Sequence, residues 1–246
     1  MFPVGAAVVR VDYAELQRRW KQLRGRGDLT VREVACEGAA RTLLCVEYGE
    51  RHAPSIQIAA GVHGDEPAGA LALVELAERA ELDPRFAYKL WPCTNPSGFE
   101  IGCRENAEGI DVNRSFGRGG ATPEARALIT ANRDRKFVLS IDLHEDDTCS
   151  GFYVYEYGAH GCGAAAIAAV SAAGFPADED VLHPDAAHEM EAIGGLSFTL
   201  AMSRRAAHRA LTFETPVCLP LAQRVEIHRI AVKAAIAALS NLEHHG

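Results

Sequence analysis

Strand-like and helix-like segments alternate along almost the whole of this chain, and that alternation limits the folds open to it. Short apolar, β-branched runs predict strands at 31–36, 42–48, 55–60, 86–92, 137–143, 152–157 and 210–213. Helical patterns lie between them, at 12–24, 67–82, 163–173 and 219–242, with a further helix opening at Thr122. We therefore predict an α/β fold, built as a three-layer α/β/α sandwich.

The predicted sheet is mixed in strand direction. The first two strands have no helix between them and should form an antiparallel hairpin, whereas 137–143 is apolar enough to be a central strand covered on both faces. The Gly- and Asn-rich stretch 95–120 predicts a long ordered loop, and 175–208 has no assignable pattern. With 246 residues and 48% hydrophobic content, we expect a single domain over 1–246.

Charge and cysteine content favour some partners and compartments over others. A net charge of −8 would repel nucleic acid and anionic membranes, so neither is expected as a partner. The 7 cysteines are scattered without a CxxC pair, which predicts reduced thiols rather than cysteine-bound zinc. With no secretory signal or transmembrane stretch in the sequence, we expect a cytoplasmic protein.

Polar residues follow four of the predicted strands at the point where each strand ends. His63 and Glu66 come after 55–60, Asn95-Pro96-Ser97-Gly98 after 86–92, His144 after 137–143 and Glu214 after 210–213. In an α/β sheet the carboxyl ends of neighbouring strands open onto one crevice. The order of the chain therefore predicts a single site from these four segments.

The residue types at these strand ends suit a metal hydrolase. Two imidazoles and one carboxylate, from His63, His144 and Glu66, form a zinc site with a fourth position left for water. A further carboxylate, Glu214, could then take a proton from that water and pass it to a leaving amine. The HxxE spacing alone is a weak signal, because a single histidine is more commonly solvated or bonded to backbone.

The stretch after Asn95 carries basic and amide side chains. Arginines in an ordered loop beside a metal would provide positive potential for a substrate carboxylate. Alternatively, these arginines only hold the loop through carbonyls, Glu105 or Glu108. The basic, amide and acidic side chains of this stretch that could take part are Arg104, Asn106, Asp111, Asn113 and Arg114.

Taken together, these motifs resemble the zinc carboxypeptidase superfamily. They are His63-Gly64-Asp65-Glu66, NPSGFEIGCRENAEGIDVNRSF at 95–116, a histidine ending a strand, and Phe213-Glu214. The superfamily includes murein peptide amidases and the succinylglutamate desuccinylase/aspartoacylase branch. The resemblance implies a mixed, roughly eight-stranded α/β/α sandwich and one Zn²⁺ ion.

The resemblance also implies roles for individual residues. His63, Glu66 and His144 match the zinc ligands, and Glu214 matches the general base. Arg104 matches the arginine that stabilises the oxyanion, and Asp111 matches the acid that orients the first zinc histidine. Asn113 and Arg114 match the pair that binds a terminal carboxylate.

The chain departs from the family pattern at three points. No tyrosine occurs after Tyr157, so the family's mobile tyrosine is missing or replaced, with His188 as one candidate. The compact length is closer to murein peptide amidases than to the desuccinylase branch with its extra β domain. Three acids follow His144 at 145–147, which predicts a solvated loop, selection for a basic substrate, or a second cation.

The leading hypothesis is zinc-dependent hydrolysis of a peptide or amide bond next to a carboxylate, as in a carboxypeptidase or murein peptide amidase. The alternative is an N-acyl amino acid deacylase. A third hypothesis, from another class, is a metal- or ligand-binding protein without turnover. The expected partner is therefore a small peptide or an N-acyl amino acid.

Overall fold

The computed structural model describes residues 11–38, 41–117, 119–184 and 195–242. The helices are α1 (Tyr13–Leu23), α2 (Pro67–Glu78), α3 (Pro96–Ile101), α4 (Pro123–Ala131), α5 (Cys162–Ala172), α6 (Phe198–Arg205) and α7 (Leu221–Leu242). The strands are β1 (Thr30–Val34), β2 (Leu43–Tyr48), β3 (Ser55–Ala60), β4 (Ala87–Trp91), β5 (Leu139–Asp146), β6 (Tyr153–Gly158) and β7 (Arg209–Pro216). Strands and helices thus alternate as the sequence predicts.

One mixed sheet forms the centre of the molecule, with strand order β1-β2-β4-β3-β5-β7-β6. β1 and β2 form the predicted antiparallel hairpin, and β4, β3, β5 and β7 run parallel to one another. β6 pairs antiparallel with β7 at the far edge. The parallel strands bring the carboxyl ends of β3, β5 and β7 to the same edge of the sheet, where the site lies.

The two faces of the sheet are covered by different helices. Alternate residues of a strand point to opposite faces, so Ile58 packs with one apolar cluster and Ala59 with the other. The larger cluster contains the buried faces of α1, α2, α5 and α7, and the other contains those of α4 and α6. The α/β prediction is confirmed, and the two clusters correspond to the helix layers of a sandwich.

Helix α1 has the cap and the buried face that its sequence predicts. The Asp12 side chain accepts a hydrogen bond from Ala14 N at 2.8 Å, which satisfies one free amide of the first turn. The predicted apolar stripe is fully buried, comprising Tyr13, Leu16, Trp20 and Leu23.

The described residues contain seven strands, in keeping with the roughly eight that the resemblance implied. Other element predictions need correction. The stretch 95–120, predicted as one loop, holds α3 and a 3₁₀ turn at Val112–Arg114, and the unassigned region 175–208 holds α6. His188, a candidate for the missing tyrosine's role, lies outside the described residues.

Within the described part of the chain, we find no helix that combines the length and hydrophobicity needed to cross a bilayer.

Candidate active site

His63 lies in a tight turn between β3 and α2. Gly61 has φ 60°, a left-handed conformation that glycine adopts without strain. Gly64 packs so closely on α3 that a Cβ there would lie 2.1 Å from the carbonyl carbon of Gly98. Glu66 directly precedes Pro67 at the start of α2, and its side chain makes no capping bond to that helix. The turn therefore aims His63 and Glu66 toward the same point.

His144 and Glu214 are partners across the sheet. The β5–β7 register places them directly opposite each other in neighbouring parallel strands. The sequence predicted that both strands end at these residues, but β5 continues to Asp146 and β7 to Pro216. Because both residues lie inside the hydrogen-bonded ladder, their backbone positions are fixed more firmly than in a loop.

The predicted metal ligands form one compact, buried group. His63 Nδ1 lies 2.5 Å from Glu66 Oε1, and His144 Nδ1 lies 2.9 Å from Glu66 Oε2. One donor atom from each of the three residues lies within 4.8 Å of the others. Two imidazole nitrogens and a carboxylate at such spacing fit a divalent ion with nitrogen and oxygen preference.

Each of the two histidines has an acidic partner on its other ring nitrogen. His63 Nε2 lies 3.4 Å from Asp111 Oδ1, and His144 Nε2 lies 3.0 Å from Asp142 Oδ2. Carboxylates in this position fix the orientation of metal-binding imidazoles and leave Nδ1 as the ligand atom. Asp111 was predicted for this role, whereas Asp142 was missed. The sequence could have identified Asp142, because it lies two residues before His144 on one strand and such residues share a face.

The electrostatics of Glu66 favour its charged form. Burial by itself would raise the pKa of this carboxyl, but the imidazoles of His63 and His144 outweigh it and lower the pKa to about 2. The backbone N–H of Glu145 also donates to Glu66 Oε2 at 3.1 Å. Glu66 is therefore an ionised ligand candidate at neutral pH.

The remaining carboxylate, Glu214, has the opposite balance. Burial is the largest influence on it and raises its pKa to about 8, assisted by the nearby charges of Glu66 and Asp146. A carboxyl group with a raised pKa can hold a proton that an ordinary glutamate would release, which suits proton transfer.

Arg104 lies beside the ligand group. Its guanidinium donates to Asp111 Oδ2 from Nε at 3.2 Å and Nη2 at 3.0 Å, and Nη1 lies 3.2 Å from His63 Nδ1. The predicted alternative was that the arginines hold the loop through carbonyls, Glu105 or Glu108. Arg114 Nη1 does donate to the Asn113 carbonyl at 3.2 Å, whereas no such bond is among the contacts of Arg104 in the described residues. Arg104 is partly exposed and faces the cavity that the site opens onto.

Asn113 and Arg114 follow in the 3₁₀ turn that Asp111 caps. Asn113 Oδ1 accepts the Phe198 N–H at 2.9 Å, so the first turn of α6 is fastened to this loop. With its oxygen committed, the Asn113 side chain presents its NH₂ group as a donor. By contrast, Asn106 is turned inward and accepts from Glu108 N and Ile110 N, which makes it a loop-shaping residue.

The metal-ligand candidates and the proposed substrate contacts open onto one cavity of about 680 Å³. Every predicted ligand and substrate residue lines it, as does Glu214; Asp111 lies behind His63. Further lining residues that the sequence did not single out as site residues include Tyr153, Tyr155, Ser197, Thr212 and Arg224.

The three acids after His144 have different surroundings. Glu145 is buried, accepts the Ala68 N–H at 2.6 Å and pairs with Arg224. Asp146 accepts hydrogen bonds, and only Asp147 is exposed. The predicted solvated loop is therefore wrong for Glu145 and Asp146, because β5 extends through both.

Comparison with known proteins identifies the group to which this site belongs. The sequence profile described as the succinylglutamate desuccinylase/aspartoacylase catalytic domain matches residues 52–239. The chain belongs to this family. The predicted resemblance to the zinc carboxypeptidase superfamily is confirmed, and the profile is that of the branch which the compact length did not favour.

Relatives of this chain support the same superfamily. Carboxypeptidase SOL1 of Arabidopsis thaliana is 32% identical over 111 residues, covering 37% of this chain and 23% of the relative. Murein peptide amidase A of Escherichia coli K12 is 39% identical over 59 residues, covering 24% of each. The matched regions thus span about a quarter of these relatives.

A solved structure extends the likeness to the fold. A candidate metallopeptidase from Shewanella denitrificans superposes with a TM-score of 0.71 at 23% identity, covering 92% of this chain and 88% of the other. At 23% identity this likeness shows a shared fold.

Proposed function

We propose that this family member hydrolyses a peptide or amide bond next to a substrate carboxylate, with one zinc ion held by His63, Glu66 and His144. The observation that carries the proposal is the position of Glu214 directly opposite His144, at a cavity that the three ligand candidates also line. When bound, zinc would supply Lewis-acid polarisation of water and of the scissile carbonyl.

Glu214 acts on the proton of the attacking water. Its carboxylate accepts that proton and then delivers it to the leaving nitrogen. Arg104 donates toward the oxygen that gains negative charge, because its guanidinium is already oriented by Asp111 beside His63.

Asn113 and Arg114 supply the contacts for the substrate carboxylate. Both residues line the cavity, with the Asn113 NH₂ group and the N–H groups of Arg114 other than the one that Nη1 donates to Asn113 O as the donors. A guanidinium binds a carboxylate through two parallel hydrogen bonds, which fixes the substrate's direction as well as its position.

Hydrolysis of a substrate panel by the zinc-loaded protein tests the proposal. The panel contains short peptides with free or amidated carboxyl termini, together with N-acetylaspartate and N-succinylglutamate. We expect cleavage only where a free carboxylate lies next to the scissile bond, and Glu214→Gln should lower the rate at least about 100-fold. Asp147→Asn, an exposed acid of the same cavity, is the matched control and should keep the rate within about twofold.

The panel also separates the two candidate reactions. The family profile favours N-acyl amino acid deacylation, whereas the carboxypeptidase and amidase relatives favour peptide cleavage. Cleavage of the peptides would assign the protein to the carboxypeptidases or peptide amidases. Release of free aspartate or glutamate from the N-acyl compounds would assign it to the deacylases. Full activity in Glu214→Gln would contradict the mechanism in either case. Binding of the panel compounds without any turnover would favour a non-catalytic binding protein.

A further inference from the structure

Two tyrosines of β6 lie in the wall of the cavity, although no tyrosine follows Tyr157 in the sequence. The antiparallel register places Tyr153 opposite Glu214 and Tyr155 opposite Thr212. Residues paired across neighbouring strands have side chains on the same face of the sheet. Tyr153 therefore reaches the cavity beside the carboxylate that transfers protons in the proposed function.

A short chain of hydrogen bonds fixes the Tyr153 hydroxyl. It donates to Asp146 Oδ2 at 2.6 Å. The other carboxylate oxygen of Asp146 accepts from the backbone N–H and the hydroxyl of Thr148, both at 2.7 Å. Asp146 is thus held by its own turn and holds the tyrosine ring in one orientation.

The direction of this hydrogen bond decides what Tyr153 offers a ligand. Both oxygens of Asp146 accept hydrogen bonds, one from Thr148 and the other from Tyr153. The phenolic hydrogen therefore points to Asp146. The lone pairs of the phenolic oxygen remain to accept a hydrogen bond from a second group.

The loop that follows α3 contributes donors to the cavity wall. Arg104, Asn113 and Arg114 present N–H groups suited to carbonyl and carboxylate oxygens. Tyr153, on the Glu214 side, presents an acceptor suited to an N–H. An amide substrate with a neighbouring carboxylate carries both kinds of group around the scissile bond, an N–H that donates and carbonyl and carboxylate oxygens that accept.

We propose that Tyr153 is a catalytic residue whose phenolic oxygen accepts a hydrogen bond from the N–H of the scissile amide, with Asp146 as the positioning residue that orients it. This inference rests on the proposed function. The contact places the leaving nitrogen beside Glu214, where that nitrogen receives its proton. Tyr153 forms and breaks no covalent bond.

An amide substrate and its ester analogue, in which oxygen replaces the scissile N–H, test this contact. We expect Tyr153→Phe to lower kcat/KM for the amide about tenfold, the effect of one lost hydrogen bond, and for the ester less than twofold. Tyr157→Phe is the matched control, because it removes a hydroxyl from the same face of β6 at a position outside the cavity. Its amide-to-ester ratio should equal that of the wild type.

Metal content and thermal midpoint are measured on each variant. Asp146→Asn keeps the tyrosine ring and weakens the acceptor of its hydroxyl, so it should change the amide-to-ester ratio in the same direction if Tyr153→Phe does not fold. A ratio unchanged from the wild type, or an equal loss on amide and ester, would overturn the role of Tyr153. If the wild-type protein cleaves neither compound, the proposed function itself fails and this inference falls with it.

Discussion

At the scale of single residues, the site depends on acids that orient other side chains. Asp111 lies behind His63 and binds Arg104, and Asp142 lies behind His144, so each histidine presents the same ring nitrogen to Glu66. A buried imidazole without such a partner could turn about its χ angles and lose the common focus. Asp111 and Asp142, which contact the histidines from behind, therefore set the geometry of the metal-ligand candidates.

Replacement of Asp142 tests whether the acid behind His144 supports metal binding. Asp142→Asn keeps the shape of the side chain but weakens its hydrogen bond to His144 Nε2. We expect zinc affinity to fall about 10- to 100-fold, measured by competition with a chromogenic chelator. Asp147→Asn removes an exposed acid of the cavity that is not one of the metal-ligand candidates, so its zinc affinity should match the wild type. Equal affinity of the Asp142 variant would show that the imidazole needs no such support.

Single residues also show where sequence reasoning succeeded and where it stopped. His63, Glu66, His144 and Glu214 could be grouped because parallel strands end at one edge of a sheet. Tyr153 was missed because its partner is set by the antiparallel pairing of β6 with β7, and strand pairing is not encoded in local pattern.

At the scale of elements, β5 joins the site to two helices. His144 is one of the three metal-ligand candidates. The next residue, Glu145, accepts the Ala68 N–H in the first turn of α2 and pairs with Arg224 of α7. Both members of this ion pair are buried. A buried charge that loses its partner is costly, so this pair holds three elements in one arrangement.

Loss of the Arg224 charge should therefore destabilise the fold. Arg224→Met keeps the length of the side chain but leaves the Glu145 carboxylate buried without its cation. We expect a loss of about 3–5 kcal/mol in the free energy of unfolding, measured by urea denaturation. Arg18→Met breaks the exposed pair with Glu15 and should cost at most about 0.5 kcal/mol. Comparable small losses in both would mean that Glu145 is protonated or rehydrated in the variant.

The contact between the His63 turn and α3 gives a second prediction for elements. A Cβ at Gly64 would meet backbone atoms of Gly98, Phe99 and Cys103 within 2.5 Å, and backbone cannot move aside as a side chain can. Gly64→Ala should cost about 1–3 kcal/mol of stability and weaken zinc binding by displacing His63. Gly117→Ala has no atom within 4 Å of the new Cβ and should be close to neutral in both measurements.

Most element positions could be predicted, but their ends could not. The apolar run 137–143 identified β5, yet the strand continues into acids that local composition assigns to a loop. Those acids remain in the strand because β7 pairs with β5 as far as Pro216. Similarly, α6 was unrecognised, although the Asn113 side chain and the Ser197 cap, which accepts from Leu200 N, fasten its first turn.

At the scale of the whole molecule, the ligand group connects distant parts of the chain. His63 follows β3, Glu66 starts α2 and His144 lies in β5, so one bound ion would join three elements that the sheet and core already bring together. Any ligand that binds the folded form alone shifts the unfolding equilibrium toward that form.

Zinc should accordingly raise the thermal midpoint. At a free zinc concentration 100 times the dissociation constant, the gain is about 2.7 kcal/mol, or about 5–10 °C for a chain of this size. Calorimetry with and without zinc measures it. His144→Ala should lose this shift, while His52→Ala, at an exposed position away from the cavity, should retain it. A zinc shift that survives in His144→Ala would remove His144 from the ligand set.

The place of β6 at the border of the sheet has an evolutionary consequence. The strands that carry His144 and Glu214 each pair with two neighbouring strands. By contrast, β6 pairs with β7 alone among the described strands, and isolated bridges join this part of the chain to Ala177 and Leu182. Substitutions along β6 other than at Tyr153 can thus reshape one wall of the cavity while the pairing of β5 with β7 persists. Descendants of such a sequence could drift in the molecules they admit and still inherit the same reactive centre.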